Sequence, residues 1–157
     1  VILCIRHKTE QQIMPEYIPP TIDWVRQQVE LYEGSGGTEG TTLRETGLPC
    51  IIVTHTGRSS GAIRKIPLMR VKVDETYVLV GSMGGQPKNP VWVYNLRANP
   101  KVEIRDETEV TPMTAREVSD ETERARLWQA CVEAFPQYAA YEKKTTRKIP
   151  LFVTEPS

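Results

Sequence analysis

The chain has 157 residues, with Lys plus Arg matching Asp plus Glu at 20 each, 39% hydrophobic and 25% charged residues. That size suits one domain with a real core, and the composition excludes collagen-like, coiled-coil and wholly disordered chains. Zero net charge offers no general attraction to nucleic acid, and the longest apolar runs, such as 50–53 and 77–80, fall far short of the roughly 20 residues a membrane-spanning helix needs.

The opening VILCIRHKTEQQI lacks the n-region, apolar core and cleavage site of a secretory signal. Because it does not begin with Met, the natural start is expected at Met14. Residues 1–14 are read as a disordered or vector-derived tail and 15–157 as one domain. Thr21, after Pro19 and Pro20, is placed to cap a helix over 21–32, with Ile22, Val25, Val29 and Tyr32 at helical spacing. The helix also carries Asp23, Arg26, Gln27, Gln28 and Glu30, so it has no strongly basic face and peripheral membrane contact is not favoured. GSGGTEG, residues 34–40, has the makeup of a flexible loop able to move over a site.

Five short β-like segments follow, at 49–55, 64–73, 76–82, 101–105 and 109–118. Asp74-Glu75 is short enough for a hairpin turn, which makes the second and third segments antiparallel neighbours. The order predicts an α+β, mainly β, antiparallel barrel, not a doubly wound sheet. Between the strands, 90–98 reads as a short helix with Pro90 in its first turn and Asn99-Pro100 as its stop. A long helix starts at Ser119 as cap, with Asp120 and Glu121 complementing its dipole and Leu127, Trp128, Cys131 and Phe135 as its stripe. Residues 151–154 complete the strands.

The three cysteines, Cys4, Cys50 and Cys131, are odd in number and not in a CxxC spacing, which fits neither a disulfide framework nor a zinc site. Cys50 and Cys131 read as buried structural thiols in a reducing cytoplasm, and His7 and His55 alone cannot form a metal cluster. From 55 to 73 there are five basic residues, Arg58, Arg64, Lys65, Arg70 and Lys72, and no acidic one. The turn THTGRSSG, 54–61, is either a phosphate cradle or an ordinary hairpin with a solvated basic face. A second turn, Gly81-Ser82-Met83-Gly84-Gly85, leads into the Pro90 helix and is either a close-approach loop for a flat ligand or only a turn. Trp92 and Asn95 share a helical face, and Phe135, Tyr138 and Tyr141 either wall an apolar slot or form a core stripe. No Ser/His/Asp triad or carboxylate pair is identifiable, which leaves room for cofactor-borne chemistry.

The blocks TGRSSGAIRKIPLMRV, GSMGGQPKNPVWVYNLRANPKVEI, TAREVSDETERARLW and FPQYAAY, in this order and spacing, resemble the deazaflavin-dependent nitroreductase family of actinobacterial split β-barrel reductases. The resemblance spans nearly all of 48–156. It implies a split β-barrel related to flavin-mononucleotide-binding proteins, and reduced coenzyme F420 as hydride carrier to a small-molecule acceptor. It further implies that Arg58, Ser59, Ser60, Arg64 and Lys65 hold the coenzyme's phosphate and oligoglutamate tail. By the same implication Ile66, Pro67, Leu68, Met69, Val80, Gly81, Ser82, Met83, Val91, Trp92, Val93, Tyr94 and Asn95 line the deazaflavin and ribityl chain. Tyr138 stands beside the ring system, and Met69, Phe135 and Tyr141 join it in the substrate wall. Ser82 and Tyr138 are the candidate catalytic proton donors.

Relatives that activate bicyclic nitroimidazoles carry a tyrosine where Phe135 stands, another aromatic at Met69 and a lysine at Met83. These departures turn the expectation away from nitroimidazoles towards quinones and activated enone or lactone-type C=C bonds, with a nitroaromatic acceptor left open. Two alternatives stand beside this reading: a flavin-mononucleotide reductase on the same barrel, and a non-catalytic F420-binding or storage protein. Oligomeric state is left open.

Overall fold

The computed structural model describes residues 15–157. The expected tail at 1–14, with Cys4 and His7, lies outside the described residues. Helix α1, Asp23–Gly34, precedes β1 Cys50–Thr56, β2 Ile63–Met69, β3 Lys72–Val73 and β4 Thr76–Val80. Then come α2 Val91–Ala98, β5 Lys101–Asp106, β6 Glu109–Glu117, α3 Glu121–Ala134, α4 Gln137–Lys144 and β7 Leu151–Pro156.

The strands form one antiparallel sheet in the order β2-β1-β5-β6-β7-β4-β3. β2 and β3 occupy the two ends of that order yet are consecutive in the chain. Residues 63–73 therefore run from one edge to the other, and the bend at Arg70 and Val71 curls the sheet into a split barrel. The expected single strand over 64–73 is corrected to two: curvature requires the break, after which Val78 N–H donates to Val71 O. The hairpin at Asp74-Glu75 is present between β3 and β4, with Asp74 in the left-handed region at φ 55°.

Strand composition follows from what covers each face. On β1, Ile51 and Val53 point into the barrel core with Leu79, Trp92, Ile104 and Phe152, while Cys50 and Ile52 pack under Val29 and Tyr32 of α1. β4 and β7 divide in the same way between the barrel and the α3–α4 layer. Both faces are buried, which is why these strands read as continuous apolar runs. Tyr32, fully buried, ties α1 to the sheet: its hydroxyl donates to Cys50 O at 3.0 Å and accepts from Glu107 N–H at 2.7 Å. Glu33 adds ion pairs to Lys65 on β2 and Arg105 on β5.

Helix ends depart from the expected caps. Thr21 does not cap α1; Ile22 occupies the N-cap with no side-chain hydrogen bond, and Asp23 supplies the first-turn negative charge. Asp120, not Ser119, caps α3, accepting from Glu123 N–H at 2.9 Å. Phe135 falls outside the α3 stripe as its C-cap, because Pro136 has no N–H with which to continue the helix. Residues 34–40 are pinned, contrary to the flexible-loop expectation. Ser35 Oγ accepts from the N–H groups of Thr38 and Glu39. Gly37, at φ 89°, lies so close to the β5–β6 turn that a Cβ would meet Glu107 O at 1.8 Å. Among the described residues no helix is long and apolar enough to cross a membrane, and no group of three or more His, Cys, Asp or Glu could hold a metal.

Candidate functional site

A cavity of about 700 Å³ lies along β2, walled by residues from the start of α1, the segment after β4, the first turns of α2, and α4. Six successive β2 residues, Arg64, Lys65, Ile66, Pro67, Leu68 and Met69, line it, so it extends roughly 16 Å along the strand. Polar groups gather at the Arg64 end, where His55 is the cross-strand partner of Arg64 and Asn95 reaches His55 from α2. At the Met69 end the wall is Val80, Tyr138 and other members of the apolar cluster beneath α3 and α4. The remaining walls are mainly apolar, as in pockets for flat organic ligands.

At the polar end Arg64 lacks an ion-pair partner among the described residues, whereas Lys65 donates to Glu33 at 2.7 Å and lies over the Tyr17 ring. Burial pushes the Glu33 carboxyl up, but hydrogen bonds from Lys65 and Arg105 more than offset this, leaving it below its ordinary value. The turn after β1 is closed by Gly57 N–H to Ala62 O, with Ser60 Oγ accepting from Ala62 N–H. Arg58 donates its backbone N–H to Asn95 Oδ1 at 3.0 Å and lays its guanidinium over the Tyr94 ring. Burial and the nearby Arg64 charge lower His55 to about 4, so it is neutral near pH 7.

The segment after β4 is held by a residue no sequence signal marked. Arg147 donates to the carbonyls of Gly81, Ser82 and Gln86 and to Asn89 Oδ1, at 2.7 to 3.0 Å. Gly81 and Gly85 admit close approach: a Cβ would lie 2.9 Å from Val93 Cγ2 at the first and 2.9 Å from Tyr141 O at the second. The result is a fixed shelf whose Ser82 and Met83 line the cavity. Tyr138 is 4% exposed and faces the same space, its ring packed edge-on against Phe135 and near Trp128. Burial raises its hydroxyl well above the ordinary tyrosine value.

The cavity brings together Arg64, Lys65, Ile66, Pro67, Leu68, Met69, Val80, Ser82, Met83, Val91, Trp92, Asn95, Tyr138 and Tyr141 of the expected site. Arg58, Ser59 and Ser60 lie in the turn beyond its polar end, and Gly81, Val93, Tyr94 and Phe135 stand outside its lining. Val93 is fully buried in the core, and Phe135 backs Tyr138. His55 and the wall formed by Ile18, Pro20, Ile22, Trp24 and Val25 were not among the expected site residues. The helical stripe of α1 contained the signal. It divides in space, Ile22 and Val25 facing the cavity, Val29 and Tyr32 the core.

A sequence model of the family described as F420H(2)-dependent quinone reductase matches residues 24–156. This chain belongs to that family. An F420H(2)-dependent quinone reductase of Mycobacterium tuberculosis is 33% identical over 135 residues, covering 84% of this chain and 89% of the relative. A solved F420-H2 dependent reductase, FDR-A, is 47% identical with TM-score 0.65, over 68% of this chain and 94% of that one. Another solved chain, titled as a domain-swapped dimer, is 45% identical with TM-score 0.67, over 85% of this chain and 98% of its own.

The coenzyme of the F420H2-dependent quinone reductase family fits these residues. A ring system joined through a chain to a phosphate needs an elongated cavity, apolar at one end and cationic at the other. The walls from Met69 to Arg64 have that polarity.

Proposed function

We propose that this chain reduces a quinone with F420H2, both ligands being held in the cavity along β2. One observation carries the reading: a mainly apolar cavity in this family's fold ends at a cation, Arg64, that no carboxylate neutralises among the described residues. When bound, reduced F420 supplies the hydride from C5 of its deazaflavin ring.

The chain's own residues bind, orient and shield. Arg64 is assigned to the coenzyme's phosphate, with Arg58, Ser59 and Ser60 in the adjoining turn meeting the anionic tail. Lys65 contributes less charge because Glu33 already holds it. Ile66, Pro67, Leu68, Val80 and Trp92 exclude water, while Arg147 keeps the Gly81 shelf in place for the ring. Tyr138 and Ser82 line the cavity together with Met69, Met83 and Tyr141, and their hydroxyls are assigned to the acceptor. Of the two, Tyr138 is the better-buried donor and stays protonated across the physiological range. Phe135 acts by supporting Tyr138. Buried free thiols at Cys50 and Cys131 suit a reducing cytoplasm.

An anaerobic fluorescence titration with F420, run beside flavin mononucleotide, tests the cofactor; oxidation of F420H2 with a naphthoquinone, an enone or no acceptor tests the reaction. Saturable deazaflavin binding with quinone-dependent oxidation is expected. Binding without turnover by any acceptor would make the chain a carrier, and binding of flavin mononucleotide alone would move it to the flavin branch.

A further inference from the structure

His55 is 5% exposed, lines the cavity and has no role in the function proposed above. Its proton can be located from its neighbours. The backbone N–H of Arg58 can only donate, so the Asn95 atom 3.0 Å from it is the carbonyl oxygen Oδ1. The other end of that amide is therefore the NH2 group, and it faces His55 Nδ1 at 3.4 Å. An NH2 group can only donate, which makes Nδ1 the acceptor and places the imidazole proton on Nε2. Nε2 has no hydrogen-bond partner among the described residues, yet the one sealed, unpartnered side-chain polar atom among them is Asp106 Oδ1. Nε2 is therefore not sealed, and His55 lines the cavity, which is the space offered to it.

We propose that His55 is a ligand-binding residue: a neutral imidazole, held in the Nε2–H form by the Arg58–Asn95 relay, that donates a hydrogen bond to a coenzyme oxygen lying beside Arg64. The partner must be an acceptor, because Nε2–H only donates in this form. The cross-strand position of Arg64 favours an oxygen that is anionic or strongly polarised, and a phosphate or ribityl oxygen meets the requirement. Arg64 is the charged group facing His55 from β2, and it opposes a second positive charge on the ring. Asn95 is a positioning residue, acting through the imidazole. The identity of the ligand rests on the proposed F420 function; the protonation pattern does not.

Nitrogen-15 NMR of the ligand-free protein between pH 6 and 8 should show His55 Nε2 protonated and Nδ1 bare. In Asn95→Asp, where the NH2 is replaced by an acceptor oxygen, the proton should move onto Nδ1. Fluorescence titration with F420 should show His55→Leu weakened about three- to tenfold, as expected for one lost hydrogen bond, while His55→Gln, which retains a donor, stays within about threefold of wild type. Repeating the titration with the deazaflavin–ribitol fragment lacking phosphate separates the two oxygens: the His55→Leu loss persists for a ribityl partner and vanishes for a phosphate partner. A protonated Nδ1 in the wild type, or equal F420 affinity of folded His55→Leu and wild type, would overturn the proposal. Failure of the wild type itself to bind F420 would overturn the cofactor assignment and the ligand named for His55, a result distinguishable from loss of the donor alone.

Discussion

Arg64 and Lys65 are adjacent on one strand and differ in what neutralises them. Lys65 is paired with Glu33, while Arg64 opens on the cavity without a carboxylate among the described residues. Arg64→Ala should therefore weaken F420 binding about tenfold or more and flatten its dependence on ionic strength, with Lys65→Ala costing distinctly less. Titrations at two salt concentrations check both. Tyr138 gives a second expectation. With its hydroxyl held above the ordinary tyrosine value, Tyr138→Phe should lower kcat about three- to thirtyfold while F420 affinity changes little, and the wild-type rate should show no tyrosine ionisation up to pH 10. Equal losses in kcat and binding would reassign the hydroxyl to positioning. Arg64 and Tyr138, which line the cavity, stood out in the sequence because basic turns and spaced aromatics leave a local pattern. His55 was not, since its role depends on an amide 40 positions away.

At the scale of elements, the segment between β4 and α2 contains little regular structure and depends on one side chain. Arg147 spans four acceptors, three of them backbone carbonyls of that segment. Arg147→Ala should lower stability by about 2–3 kcal/mol, or roughly 5–10 °C in Tm, and weaken coenzyme binding as well. Arg147→Lys should rescue little, because a single ammonium cannot reproduce the planar fork. Thermal unfolding and titration of both variants check this. The helix that follows Pro90 and the antiparallel strands could be read locally from punctuation and alternation. The break in 64–73 could not: the residues that form it are ordinary strand residues, bent by the need to pair with β1 at one end and β4 at the other.

For the whole molecule, folding buries an imidazole that the unfolded chain leaves in water. His55 falls from 6.5 to about 4 on folding, so below pH 6.5 the unfolded chain binds a proton that the folded one refuses. The stability from this group is complete above pH 6.5 and is lost as pH falls towards 4, by roughly 3 kcal/mol at most. Glu33 extends the loss below its ordinary value of 4.5, since its carboxylate is held charged by Lys65 and Arg105. Urea unfolding between pH 7 and 4 should therefore show a steep acid limb that flattens in His55→Gln; an identical limb in both proteins would remove His55 as its source.

The sequence by itself determined the class of fold, the antiparallel hairpin at Asp74-Glu75, the two glycine-bearing turns and, through four blocks in fixed order, the family. The fold class, hairpin and turns depend on periodicity, turn chemistry and composition, which act within a few residues, whereas the family came from the resemblance of the four blocks to known sequences. Only the tertiary structure decided that residues 63–73 close the barrel, that α1 shares its stripe between cavity and core, and that Glu33 removes Lys65 from the free cations. It likewise brought Arg147 onto the Gly81 shelf and Asn95 onto His55. Each of those is a pairing between segments far apart in the chain, fixed by burial and by the requirement that buried polar groups find partners, and no local pattern encodes it.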